Sequence, residues 1–398
     1  MTASSSRPVA RRRLLTAVVA IGVSAAALLL AGCAPEPRPT SAAPLEPSVQ
    51  ADPTPLETPA PETESSLLLA SLAHTDAVAI IDPAQPEASA VQRITVGAAP
   101  WGVGVADDGA TGYAATAEGL AVIDLDSRER TALVPFQHPA DRLGVGEYRA
   151  GGLGLTVSPN DAPGGARVYV ATTSGDGTYF LEVFDVATEQ FIAAVPVGLR
   201  PFDVLVAPDG SWAATVDHDG FTVTVVDAQS LEATTHTVAP FGTEGGLASW
   251  EKPHYGAVAA DGSILLPYQG KVVVRLDPRS GLMSTIASAA DSHAHGTALD
   301  GDLLLTVGTG SFGNATGSPN LSLLDAVSGE ERIVPLDVPH ETVAVWTAAD
   351  GAHFAAVAGG NTRNEGWDGI TLVSVDTLDT RALPVDGYPQ AVVSYAHS

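Results

Sequence analysis

The chain has little to cross-link it, little positive charge and little that reads as helix. One of its 398 residues is cysteine, so no disulfide framework can be drawn. Lys and Arg number 19 against 46 Asp and Glu, a formal net charge of -27. Four of those basic residues, Arg7, Arg11, Arg12 and Arg13, stand at the N-terminus and leave 15 for the rest of the chain. A surface of that sign repels nucleic acid and anionic lipid headgroups and attracts cations, which excludes nucleic-acid binding. Beyond about residue 65 no stretch sustains a 3.6-residue apolar period, so helix is expected to be scarce. No GxSxG elbow, Walker loop or dinucleotide fingerprint stands in a strand-to-helix context, and no short metal motif such as HExxH occurs.

What is present begins with a targeting pattern. The N-terminal arginines precede an apolar run from Leu14 to Ala31 and then Gly32-Cys33, the layout of a charged n-region, a hydrophobic h-region and a small-residue cleavage site. Leu30-Ala31-Gly32-Cys33 resembles the bacterial lipobox, which implies a signal peptide over 1–32 and lipidation of Cys33. The competing reading is a membrane-spanning anchor with an idle cysteine, although the run is near the lower length for spanning. Residues 33–65 are Pro, Ala, Glu, Thr and Ser with almost no large apolar side chain. They cannot bury enough surface to fold and read as a disordered tether. The expected location is outside the cytoplasm, lipid-anchored to the outer face of the cytoplasmic membrane. Residues 66–398 are long enough for a sizeable core and contain no further spanning run.

A short phrase, Pro-x-x-Val-x-Val-x-x-Asp-Gly, recurs within this region every 40 to 50 residues or so. After it come an apolar strand, a Gly-containing turn, a β-rich strand ending in Asp, and one more strand. Clear copies start at Pro100 (PWGVGVADDG), Pro201 (PFDVLVAPDG) and Pro253 (PHYGAVAADG), and weaker ones near Gly152, at Ser292 and at Pro339. The chain ends supply two halves of another, since Leu67 to Val96 has only the later strands and Tyr388 to Tyr395 only the opening phrase. The expectation is an all-β, seven-bladed β-propeller closed by pairing of the N- and C-terminal strands, which leaves no open sheet edge. The phrase is similar to the YVTN-type repeats of bacterial surface and periplasmic propellers. That likeness concerns fold and names no function.

In such a blade the connection into the innermost strand and the hairpin between strands two and three emerge on one face. Counting from the Pro of the phrase places Trp101, Phe202, His254, the His293/His295 pair, His340 and Gln390 at one level of successive blades. The strand-two to strand-three hairpins add His74 and His218, and His138 lies in the loop entering the second full blade. Seven of ten histidines thus fall on one face, with His236, His353 and His397 elsewhere. Converging neutral imidazoles with a carboxylate make a zinc site, or one for copper or nickel. The candidate metal ligands are His254, His293, His295, His340, His138 and His218, with Asp203, Asp217, Asp219, Asp291 and Glu341 as nearby carboxylates. For any one of these histidines the plainer reading is a polar residue capping a loop or bonding a neighbouring blade.

Lys252-Pro-His-Tyr-Gly-Ala-Val-Ala-Ala-Asp-Gly, followed by His293-Ala-His-Gly-Thr297, resembles the paired His motifs of the AztD zinc metallochaperones. That resemblance implies a secreted, non-enzymatic propeller that binds zinc through channel-facing His and Asp. It would deliver the metal to the solute-binding protein of an ABC transporter. It carries over His254 and His295 as ligands. The family's earlier His- and Asp-rich loop corresponds here to Gln137–Leu143, which keeps His138 and Asp141. Two other classes stay open: a lactonase-type propeller hydrolase, in which the histidines hold a metal or act as general bases, and a cell-surface interaction scaffold.

Overall fold

A computed structural model describes residues 66–85, 90–238, 252–268, 272–290, 294–313, 317–359 and 368–396. All of them fall in one compact unit, Pro59–Ser398. The repeats fold as seven four-stranded antiparallel sheets, six of them hydrogen-bonded in chain order. Blades 1 to 6 open with the strands Val103–Val105, Gly151–Val157, Pro201–Val206, Ala257–Val258, Ala294–Asp300 and Thr342–Thr347. Blade 7 is split between the two ends of the domain. Its innermost strand, Pro389–Tyr395, pairs with Leu67–Leu72 in the register Leu69 to Val393 and Leu68 to Ser394. The ring closes through this pairing, as the half-repeats at the chain ends predict.

Inner and outer strands differ because each blade stacks face to face on its neighbours. Second strands such as Trp212–Asp217 are buried throughout, whereas outermost strands such as Ala233–Thr237 are exposed along most of their length. A strand covered on both faces reads as a nearly continuous apolar run. The core is accordingly divided among the interfaces. Leu68, Leu72 and Ile81 of blade 7 pack with Trp346, Ile370 and Leu372 of blade 6, and Leu69 and Val78 pack with Val103 and Ile123 of blade 1. The other interfaces each hold a similar cluster, so blade 7 is packed on both sides like the rest.

The Asp at the end of the third strand has a local role in five of the blades. Asp124, Asp185, Asp227, Asp277 and Asp325 each accept the backbone N–H of the Ser or Thr three residues on, at 2.7 to 3.3 Å. These bonds cap the last hairpin before it turns through a left-handed residue: Arg128, Glu189, Leu231, Gly281 or Gly329. Part of the chain's acidity is therefore turn chemistry. Among the described residues no helix is long and apolar enough to cross a membrane.

Candidate functional site

The innermost strands come close at the axis, and their backbone contacts fix which residues share a level. Gly102 N donates to Leu153 O at 2.9 Å and Gly296 N donates to Glu341 O, while the Asp203 side-chain Oδ2 accepts from Gly256 N at 3.0 Å. Trp101 N bonds Ala115 O in the way that Glu341 N bonds Ala358 O. Trp101, Leu153, Phe202, Tyr255, His295, Glu341 and Gln390 therefore occupy one level. This corrects the level counted from the Pro of the phrase. His254 and His340 stand one residue earlier, where blades 1 and 3 carry Pro100 and Pro201. Trp101, Leu153 and Phe202 form an apolar cluster on one side of the axis. On the other, Gln390 Nε2 donates to Glu341 Oε2 at 3.1 Å.

Two of the expected histidines meet. His218, in the hairpin after Trp212–Asp217, and His254, in the loop entering blade 4, lie edge to face with ring centroids 4.2 Å apart. Phe202 flanks both, at 4.8 Å from His218 and stacked at 6.1 Å on His254. Both imidazoles are buried. His218 Nδ1 donates to Asp219 at 2.9 Å, which leaves the Nε2 lone pair as its basic atom. Burial pushes the His218 pKa down, against the pull of Asp219. Asp219 also faces Lys252 Nζ at 2.6 Å and Arg200 at 3.0 Å. Buried as it is, its carboxyl is held well below the ordinary range by His218, Lys252 and Arg200.

Other histidines are engaged elsewhere. His340 Nδ1 donates to Gly359 O at 2.9 Å and its Nε2 accepts from the Thr371 hydroxyl at 2.9 Å, so both nitrogens are committed to its own blade. His138 stacks on Phe180 at 3.8 Å beside Glu182, and the backbone N–H groups of Gln137 and His138 donate to that buried carboxylate. His74 stacks on Tyr388 at 4.7 Å. His295 opens blade 5 as the second residue of Ala294–Asp300, but its side chain, and the whole of His293 and Asp291, lie outside the described residues. So do Cys33 and the rest of 1–65. Among the described residues no three His, Cys, Asp or Glu side chains group closely enough to hold a metal.

Asp203 and Asp217 are carboxyls of different kinds. Asp217 accepts hydroxyl hydrogen bonds from Thr215, Thr222 and Thr224 at 2.6 to 2.9 Å and serves its own blade, with burial pushing its pKa up to about 6. Asp203 borders the axis, and burial pushes it up to about 7 despite the N–H groups of Gly256 and Val204. Tyr255 lies near Asp203, Glu341 and Glu147, whose charges add to burial in raising its phenol well above the usual value. Sequence reasoning missed Arg200, Lys252 and Tyr148. A usable signal exists in the doublets Arg200-Pro201 and Lys252-Pro253, two of few basic residues in an acidic chain, both reaching Asp219.

The fold defines the class: a seven-bladed β-propeller. Comparison with protein-family models and with curated proteins finds no match. Among solved structures, Kuenenia stuttgartiensis hydrazine synthase is similar over 83% of this chain and 100% of that chain, with 16% identity and a TM-score of 0.55. A functionally unknown protein from Desulfotomaculum acetoxidans DSM 771 is similar over 84% and 100%, with 9% identity and a TM-score of 0.60. At such identities the likeness is one of fold.

Proposed function

We propose that this propeller is an exported, lipid-anchored carrier that takes up zinc at its channel mouth and passes it to the solute-binding protein of an ABC transporter. The observation that carries the reading is the His218–His254 pair, two buried imidazoles 4.2 Å apart with one oriented by a carboxylate. Metal-bound histidine is commonly held this way, with the far ring nitrogen on a carboxylate that fixes the tautomer and raises ligand basicity. The donors suit zinc, and His295 and His293, in and before the next innermost strand, are the proposed further ligands. His340 and His138 fall outside the proposed set because each is bound into other structure. A cargo metal needs ligands that also let go, and a site without thiolate fits that requirement better than a closed Cys site.

Elemental analysis and competitive zinc titration of the full chain test this, beside the His218→Ala and His254→Ala variants. About one zinc per chain, lost in both variants, supports the reading; a wild-type chain that binds none defeats it. The same Asp219–His218 pair is also how a general base is oriented. That favours a lactonase-type hydrolase as the second reading, checked by turnover of simple lactones with and without zinc.

A further inference from the structure

The Asp219 carboxylate is gripped from three sides. One oxygen takes both His218 Nδ1 and Lys252 Nζ, and the other faces Arg200 Nη1. Arg200 does not reach this position alone. Its guanidinium lies over the ring of Tyr148, 4.5 Å from the centroid, and Tyr148 meets Phe202 edge-on at 6.2 Å. Tyr148 belongs to the loop before blade 2, and the next residue ties that loop down. Arg149 is buried and donates to the carbonyls of Ala99 and Gly152. Beyond this anchor the loop rises into solvent, with Tyr148 49% and Val145 71% exposed.

We infer that Tyr148 and Arg200 are positioning residues for the metal-binding mouth: the stacked ring holds the guanidinium on Asp219, and Asp219 then fixes which nitrogen His218 presents. This rests on the zinc-binding reading above and adds to it a relay from the rim to a ligand. A long guanidinium side chain loses rotamer freedom when held in one place, and a ring over one face offsets that cost while shielding the ion pair from water. Without the ring, Arg200 returns to solvent, one carboxylate oxygen is released, and Asp219 can rotate away from the imidazole. Tyr148 is the exposed end of the relay. A protein that docks on the mouth and covers this ring would act on His218 without touching it.

The test reads the relay directly and the metal separately. Imidazole 15N shifts of His218 are recorded on the full metal-free chain, and zinc affinity by competition, for wild type, Tyr148→Ala, Arg200→Gln and Tyr148→Phe. The expected result is a single Nδ1–H tautomer in wild type and in Tyr148→Phe, which keeps the ring. Mixed tautomers and roughly tenfold weaker zinc binding are expected in Tyr148→Ala and Arg200→Gln, the scale of outer-shell losses. Wild-type tautomer in Tyr148→Ala and Arg200→Gln overturns the inference, and so does a Tyr148→Phe chain that behaves like Tyr148→Ala. If wild type binds no zinc, the metal reading fails while the nitrogen shifts still decide the relay. Tyr148 is half exposed, so its alanine variant keeps the fold and the test does not depend on Arg200→Gln.

Discussion

His340 and Gly359 are joined across blade 6 by a 2.9 Å hydrogen bond from imidazole Nδ1 to a carbonyl, and Thr371 closes on the other ring nitrogen. The ring is buried, and burial lowers its pKa, so it is held neutral with one nitrogen donating and one accepting. His340, which looks like His254 in sequence, is thus bound into its own blade. His340→Ala leaves a carbonyl and a hydroxyl unpaired in a buried site and is expected to cost about 1–3 kcal/mol of stability. It should leave zinc stoichiometry unchanged, whereas His254→Ala should lose zinc. Denaturant titration and zinc competition on the two variants separate the roles.

The seven blades were legible because most repeats carry an Asp-Gly turn after the first strand, and five carry a capping Asp after the third, and those are local signals. Closure was legible too, since Leu67–Val96 and Tyr388–Tyr395 are complementary halves. The level of the side chains around the axis was not. It is set by hydrogen bonds between strands, and Pro253 and Pro339 precede it by one residue more than Pro100 and Pro201 do. An offset of one residue moved His254 and His340 off the level of Trp101 and put Tyr255 and Glu341 there. His218 and His254 were legible only as two residues on one face; that their rings meet depends on the contact between neighbouring blades.

Close approach of innermost strands makes Gly102 sensitive to a single methyl. A Cβ there would lie 2.5 Å from Leu153 O and 2.7 Å from Leu155 N, both backbone atoms of blade 2 that cannot turn aside. Gly102→Ala must therefore push two blades apart, at an expected cost of about 1–3 kcal/mol or more. Gly262→Ala is the control for any loss of glycine, since it meets nothing within 4 Å, though its φ of +81° adds local strain. The Gly102 variant should show the larger drop in thermal midpoint.

Closure by Pro389–Tyr395 should be indispensable. A chain stopped after Tyr388 exposes the edge of Leu67–Leu72 and takes Val392 and Tyr395 out of the interfaces of blade 7 with blades 6 and 1. The expected outcome is loss of cooperative unfolding and self-association through the bare edge. A synthetic peptide spanning 389–398 added to the truncated chain should restore a cooperative transition. Circular dichroism and sedimentation read both results.

Asp203 predicts how stability should move with pH. Its folded-state pKa is raised to about 7 from an ordinary 3.8, mainly by burial. Between those values the folded chain holds a proton that the unfolded chain has released, so this residue stabilises the fold at mildly acidic pH and the contribution is lost as pH rises through 7. Asp203 keeps part of its surface exposed, so solvent screens the carboxylate and the expected effect is on the order of 2 kcal/mol, less than the full shift would give. Many other carboxylates, such as the turn caps Asp227 and Asp325, are shifted down and pull the opposite way at lower pH. The measurement is therefore a difference: unfolding free energy of wild type minus that of Asp203→Asn at several pH values from 4 to 8. That difference should fall steadily across the window and level off above pH 7, and a flat line would show that Asp203 ionises as it does in water.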